Sequence, residues 1–318
     1  MFYIKQFNTL NDYNQYIESE DLILPNVSST DDEVFLFYNP VKNEWWKNYM
    51  TIEAIEDETT IGFLTPQLYY NDNEDLYYSI DNSEWKSFSE YEESTGYELP
   101  LTINKGQVIA FKGNLTTQSD SFCNAGIGYF TIDKKINLKG NCMSLIYGDE
   151  AENKNYFEDG YDNAFIYLFQ DNNVVKIYPD FLPATKLVPG CYCGMFSGCA
   201  LLTDTPILPA LELPQEFICN YGHTNFGCYE SMFAGCTSLV NAPELPAKKL
   251  TPYCYMSMFS GCTNLSNITM LANISDNNSL TNWVLNVSSN GTFTKDSSIT
   301  SLPSGVNGIP TGWDIVNV

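Results

Sequence analysis

The sequence predicts a mainly β chain with short helical turns. It is ordered as an N-terminal anchoring arm (1–50), a β-sandwich-like module (51–150), a repeat solenoid (151–279) and a C-terminal cap (280–318). Three observations lead there. A nine-residue block, Cys191-Tyr192-Cys193-Gly194-Met195-Phe196-Ser197-Gly198-Cys199, returns from Cys228 to Cys236 and again from Cys254 to Cys262. Short apolar runs divided by polar turns fill residues 51–150. The first 50 residues hold many aromatics in too little chain to enclose a core of their own.

The repeat carries most of the reading. Its last two blocks start 26 residues apart, and a fixed period of about 20–29 residues marks a leucine-rich-repeat solenoid. Such units cannot bury their apolar faces alone, so they stack and offer a broad surface. A degenerate first unit places the starts near Ala164, Cys191, Cys228 and Cys254. The step from Cys191 to Cys228 is 37 residues, the 26-residue period plus an 11-residue insertion around 215–226 that holds the only histidine, His223. Within a unit, Cys-Tyr-x-x-Met-Phe suits one or two helical turns, closed by Gly198, Gly235 or Gly261 as a C-terminal cap. Phe196, Phe233 and Phe259 are expected to stack through the core, beside columns of Cys and of Leu202, Leu239 and Leu265. Tyr192, Tyr229 and Tyr255 are candidate contact residues of the repeat surface, with packing between coils as the competing reading.

Seven of the ten cysteines lie in these units. Their pairs have seven residues between them rather than the two to four of a zinc knuckle. Buried thiol ladders are therefore the favoured reading, with disulfides and zinc as alternatives.

In the module, strands are expected over 51–54, 59–63, 76–80, 99–103, 107–112, 126–132 and 136–140. Trp85, after the turn at Asp81-Asn82-Ser83, reads as a packing residue, with stacking on a sugar as the alternative. The run Asn71-Asp72-Asn73-Glu74-Asp75 lacks the glycine and spaced carboxylates of a calcium loop and reads as a solvated acidic loop. In the arm, a capped helix is expected over 10–18, extended chain over 22–28 and a strand from Val34 into the turn at Pro40. In the last segment, Trp283, Val287 and Phe293 keep apolar character before the turns at Pro303 and Pro310.

Composition narrows the function. All 15 basic residues are Lys, and the formal net charge is −24. A chain so acidic, without a guanidinium fork, repels nucleic acid and anionic membranes. No run of 18 apolar residues exists to span a bilayer. Residues 1–8 lack the apolar core of a secretory signal, so the expectation is a chain made in cytoplasm. No nucleophile elbow, HExxH, P-loop or dinucleotide fingerprint is present. His223 has no partner motif beside it and reads as a surface or packing residue. The sequence thus predicts no catalytic residue, no metal and no cofactor.

The units of the form Cys-Tyr-x-x-Met-Phe-x-Gly-Cys-Thr-x-Leu resemble the BspA-like leucine-rich repeats of Bacteroidetes surface proteins and of their phages, most closely at 228–250 and 254–265. The arm, through Phe7-Asn8-Thr9, Tyr13, Pro25-Asn26-Val27-Ser28 and Tyr38-Asn39-Pro40, resembles the start of virion-associated proteins of crAss-like and related Bacteroides phages. The ending, with Ser288-Ser289-Asn290-Gly291-Thr292-Phe293 and Gly308-Ile309-Pro310-Thr311-Gly312-Trp313, is similar to the tail of the same proteins. The resemblance implies a structural virion protein, most closely a head fibre or capsid decoration. Its partners would be capsid or other virion proteins, further copies of itself, and host surface glycan or protein. Phe7, Tyr13, Pro25, Asn26, Val27, Tyr38, Asn39 and Pro40 would then be the capsid-anchoring residues. A tail-fibre component or a bacterial surface adhesin is the alternative.

Overall fold

The computed structural model describes residues 3–7, 34–38, 45–64, 75–88, 101–117, 126–215, 226–273, 278–300 and 302–318. The chain is mainly β, with several sheets and a few short helical segments. It divides into two compact units, Met1–Trp45 and Trp46–Val318.

In the first unit β1 (Tyr3–Phe7) pairs antiparallel with β2 (Val34–Tyr38), Tyr3 opposite Tyr38 and Phe7 opposite Val34. The expected strand from Val34 is β2. The expected helix over 10–18 and the extended stretch over 22–28 lie outside the described residues.

The second unit opens with β3 (Met50–Ala54), β4 (Thr59–Leu64), β5 (Leu76–Ile80) and β6 (Lys86–Ser87). Next come β7 (Leu101–Ile103), β8 (Val108–Gly113), β9 (Tyr129–Ile132) and β10 (Ile136–Gly140). Each run expected as a strand contains one. Alternation decides which side faces inward: in β10 Ile136 and Leu138 are buried, and in β9 Phe130 and Ile132 are buried while Tyr129 is exposed. The sheet β7-β4-β9 and the sheet containing β8 meet at Phe130 and Phe111, whose rings lie 5.1 Å apart. In the second sheet, ordered β11-β10-β3-β8-β5-β6, β11 (Val174–Ile177) pairs parallel with β10. The same sheet therefore runs from the module into the repeat region.

The repeat blocks stack as successive layers, at 163–171, 190–198, 227–235 and 253–261. Their backbone is not helical, which corrects the expectation of helical turns. Alternate N–H groups bond across to the next layer: Tyr192, Gly194, Phe196 and Gly198 donate to the carbonyls of Cys228, Glu230, Met232 and Ala234. The intervening residues Cys193, Met195 and Ser197 donate three residues back, to Gly190, Tyr192 and Gly194. These two patterns give every N–H from Tyr192 to Gly198 a partner, and neither is the four-residue-back bond of an α-helix.

The reason lies in the dihedrals. In three of these layers every fourth residue has positive φ: Asn163, Tyr167 and Asp171, then Gly190, Gly194 and Gly198, then Tyr253, Ser257 and Gly261; in the layer at 227–235 Ser231 and Gly235 do. A residue in the left-handed region ends each tight turn and prevents an α-helix from propagating. Gly and Asn occupy many of these positions because they tolerate that region. Gly194 is also required for space, since a Cβ there would stand 2.2 Å from the Tyr167 ring in the preceding layer.

Side chains four apart point into the stack and form two aromatic columns. Phe169, Phe196, Phe233 and Phe259 follow one another at ring separations of 5.9, 5.8 and 5.9 Å. Phe165, Tyr192, Tyr229 and Tyr255 follow at 6.0, 5.9 and 6.0 Å. Phe130 of β9 closes the first column, 5.1 Å from Phe169 and nearly parallel to it. Burying each such phenyl is worth about 2–3 kcal/mol, and stacking adds about 0.5–1.5 kcal/mol more.

The stacking continues beyond residue 279. Tyr255, Ser257, Phe259 and Gly261 donate to Ser279, Thr281, Trp283 and Leu285. On another side of the stack β12 (Asn267–Met270), β13 (Thr292–Lys295) and β14 (Asp314–Asn317) form a parallel sheet. Among the described residues, the hydrophobic core runs from Met50 to Trp313.

Candidate functional site

Of the arm residues named from sequence, Phe7 and Tyr38 end β1 and β2. Tyr13, Pro25, Asn26, Val27, Asn39 and Pro40 lie outside the described residues, as do His223 and residues 71–74 of the acidic run.

The repeat tyrosines are a correction. Tyr192, Tyr229 and Tyr255 are 1, 2 and 1 % exposed. Tyr192 and Tyr229 each lie between the rings of neighbouring layers and Tyr255 stacks on Tyr229, so none is available as an outward contact, and the packing reading applies. The phenol oxygen of Tyr229 is buried without a hydrogen-bond partner.

The thiols share this interior. Cys142, Cys191, Cys193, Cys199, Cys228, Cys236, Cys254 and Cys262 are free and buried. Cys199, Cys236 and Cys262 each donate from Sγ to the carbonyl of the phenylalanine one layer back, Phe169, Phe196 and Phe233, at 3.1, 3.3 and 3.0 Å. Burial pushes the Cys199 and Cys262 thiols up to about 12 and carries Cys142, Cys228 and Cys236 well above the usual thiol range. Thiols held so far from ionisation are poor nucleophiles and poor ligands. Among the described residues, no three His, Cys, Asp or Glu side chains gather to hold a metal ion.

A surface cleft of about 350 Å³ is built on the outer side of the second sheet. The period of two that turns Tyr78 and Phe111 inward turns Tyr77 and Lys112 outward, and the pairing of β5 with β8 sets these two directly opposite each other. The β5–β6 hairpin adds Trp85. The facing wall is Gly148 and Asp149 of the 3-10 segment Gly148–Asn153, which the helical turn Ser144–Tyr147 leads into. Ser144 pins that wall across two strands, since its hydroxyl donates to the Phe111 carbonyl at 2.7 Å and accepts the Met50 N–H at 2.8 Å. Asp149 is thereby set beside Lys112.

The charges of the cleft are largely matched. Lys112 Nζ lies 2.9 and 2.8 Å from the two oxygens of Asp149, and the Tyr49 hydroxyl donates to Asp149 at 2.8 Å. The ammonium also stands 4.6 Å from the Trp85 ring centroid, and Tyr49 meets Trp85 edge to face at 4.8 Å. Lys112 holds the Asp149 carboxyl below its usual range. Burial, together with Asp149, pushes the Tyr49 phenol up to about 12. A carboxylate locked as an anion is the opposite of the raised carboxyl a glycosidic general acid needs. Asp75 and Asn114 complete the rim, the Asn114 side-chain oxygen accepting the Asp75 N–H at 2.6 Å. Sequence reading reached Trp85, as a packing residue, and Asp75, as the end of an acidic run. Tyr77, Lys112, Asn114 and Asp149 left no local signal, because strand pairing assembles them.

No family model, curated protein or solved structure matches the chain. Among the described residues, no helix is long and apolar enough to cross a membrane.

Proposed function

We propose that the chain is a non-catalytic structural protein of a phage virion, a head fibre or capsid decoration. In this reading its N-terminal arm is the anchor and a β-sandwich-like module is the spacer. A BspA-like leucine-rich-repeat solenoid is displayed outward, in a homo-oligomeric appendage assembled in host cytoplasm.

The observation that carries the reading is the stack itself. Layer-to-layer hydrogen bonds and two aromatic columns run through at least four repeats. The recurring Cys, Tyr, Met and Phe of the blocks are spent on the interior, as in a solenoid whose outer surface is left for contacts. Met1–Trp45 and Trp46–Val318 are each compact by themselves, which supports reading the first as a separate arm. The motifs shared with BspA-like repeats and with the leaders of phage virion proteins supply the biological setting.

The experiment is a deletion of residues 1–40. The shortened chain is expected to fold, stay soluble and fail to join particles. Copurification with virions at full occupancy would remove the arm from the anchoring role.

A further inference from the structure

We propose that the cleft lined by Asp75, Tyr77, Trp85, Lys112, Asn114 and Asp149 is a binding site for a neutral carbohydrate. Nothing in the repeat stack does this work, since its tyrosines are enclosed. The inference goes beyond virion attachment and does not depend on it.

Three features of the cleft select the ligand. The first is its mixture of surfaces. Tyr77 and Trp85 are half-buried rings beside exposed Asn114 and Asp149. A pyranose has the matching character, with weakly positive C–H groups on one face to lie against the negative face of an aromatic ring, and hydroxyls at its edge to meet acceptors and amides. The second is that the seat for a cation is already taken. Lys112 stands over Trp85 and is bonded by both oxygens of Asp149, so the ammonium an aromatic cage would capture comes from the chain itself. The third is charge. Asp75 and Asp149 outnumber Lys112 in the lining, in a chain of net charge −24, so phosphate or an acidic sugar is repelled. A volume of about 350 Å³ lies at the small end of ligand sites, which fits one or two sugar rings.

The test uses the purified full chain and saturation-transfer NMR with the methyl glycosides of glucose, galactose, mannose and N-acetylglucosamine. Transfer to the ring C–H protons of at least one glycoside is expected, with affinity in the millimolar range. Trp85→Ala should weaken it at least about tenfold, about 1.4 kcal/mol. Trp46→Ala, in a separate cleft beside Tyr178, should leave it unchanged. Tyr77→Ala carries the test if Trp85→Ala does not fold, as read from its unfolding midpoint. No transfer to any of the four at about 10 mM, roughly ten times a Kd of 1 mM, overturns the proposal. So does a folded Trp85→Ala chain that binds as well as the parent. Transfer to N-acetylneuraminic acid as strong as to the neutral glycosides overturns the assignment to neutral sugars.

Discussion

The rings of Phe233 and Phe259 lie 5.9 Å apart and within 5° of parallel, although 26 residues of chain separate them. Their backbones are joined as closely, since the Phe233 N–H donates to the Met258 carbonyl at 3.0 Å. One repeat period therefore equals one step along the stack. Both rings are fully buried, and Phe233 has a ring on each side.

Phe233→Ala should destabilise the chain by about 3–5 kcal/mol, because it removes a buried phenyl and leaves a gap between two layers that cannot close. Chemical unfolding of the variant and the parent reads this directly. A shift in midpoint too small to resolve would contradict the column.

Tyr229→Phe should act in the opposite direction. The Tyr229 hydroxyl is enclosed with no partner, and burying an unsatisfied hydroxyl costs about 1–3 kcal/mol. Removing it while keeping the ring is expected to raise stability by about 1 kcal/mol. A loss of stability would show that this oxygen has a role the packing does not reveal.

The thiols offer a chemical check. Burial raises Cys228 and Cys236 far above the usual range and Cys262 to about 12, so iodoacetamide at pH 8 should leave them unmodified in the folded chain and label them in denaturant. Peptide mass spectrometry identifies each site. Rapid native labelling at Cys228, Cys236 or Cys262 would mean that the interior is open.

Glu230 gives the chain a pH dependence of known sign. Glu230 is 9 % exposed, near Tyr167 and Cys193, and its carboxyl accepts the Gly227 N–H at 3.1 Å. Burial raises its pKa above the ordinary 4.5. A carboxyl raised on folding favours the native state while protonated, and that contribution is lost as pH rises through the folded value. Glu230→Gln keeps the acceptor and removes the charge. Its melting temperature should exceed the parent's at neutral pH, and the gap should close as pH falls below about 4. A gap that widens on acidification would reverse the assignment.

The strands of the module were legible because alternation and polar turns are local. β5 and β10 match their expected spans, and β3, β4 and β8 start or end within a residue or so. What the sequence hid depended on distant partners. β12, β13 and β14 are four residues each and exist through pairing between layers. The layer at Ser279–Leu285 continues the backbone ladder, yet Ser279, Leu280, Trp283 and Val284 stand where Cys254, Tyr255, Met258 and Phe259 stand one layer earlier. The structural repeat thus outlasts the sequence repeat. Cys-Tyr-x-x-Met-Phe reads as helical by residue type, and only the left-handed residues at every fourth position exclude it. The cleft was invisible for a related reason, since Tyr49 and Asp149 are 100 residues apart.

Averaged electron density of intact particles tests the functional reading most directly. The expected result is density for stacked layers on the outside of the particle and for residues 1–45 against the shell. Particles that lack this chain, or that hold the layers flat within the shell and the arm free in solvent, would contradict it.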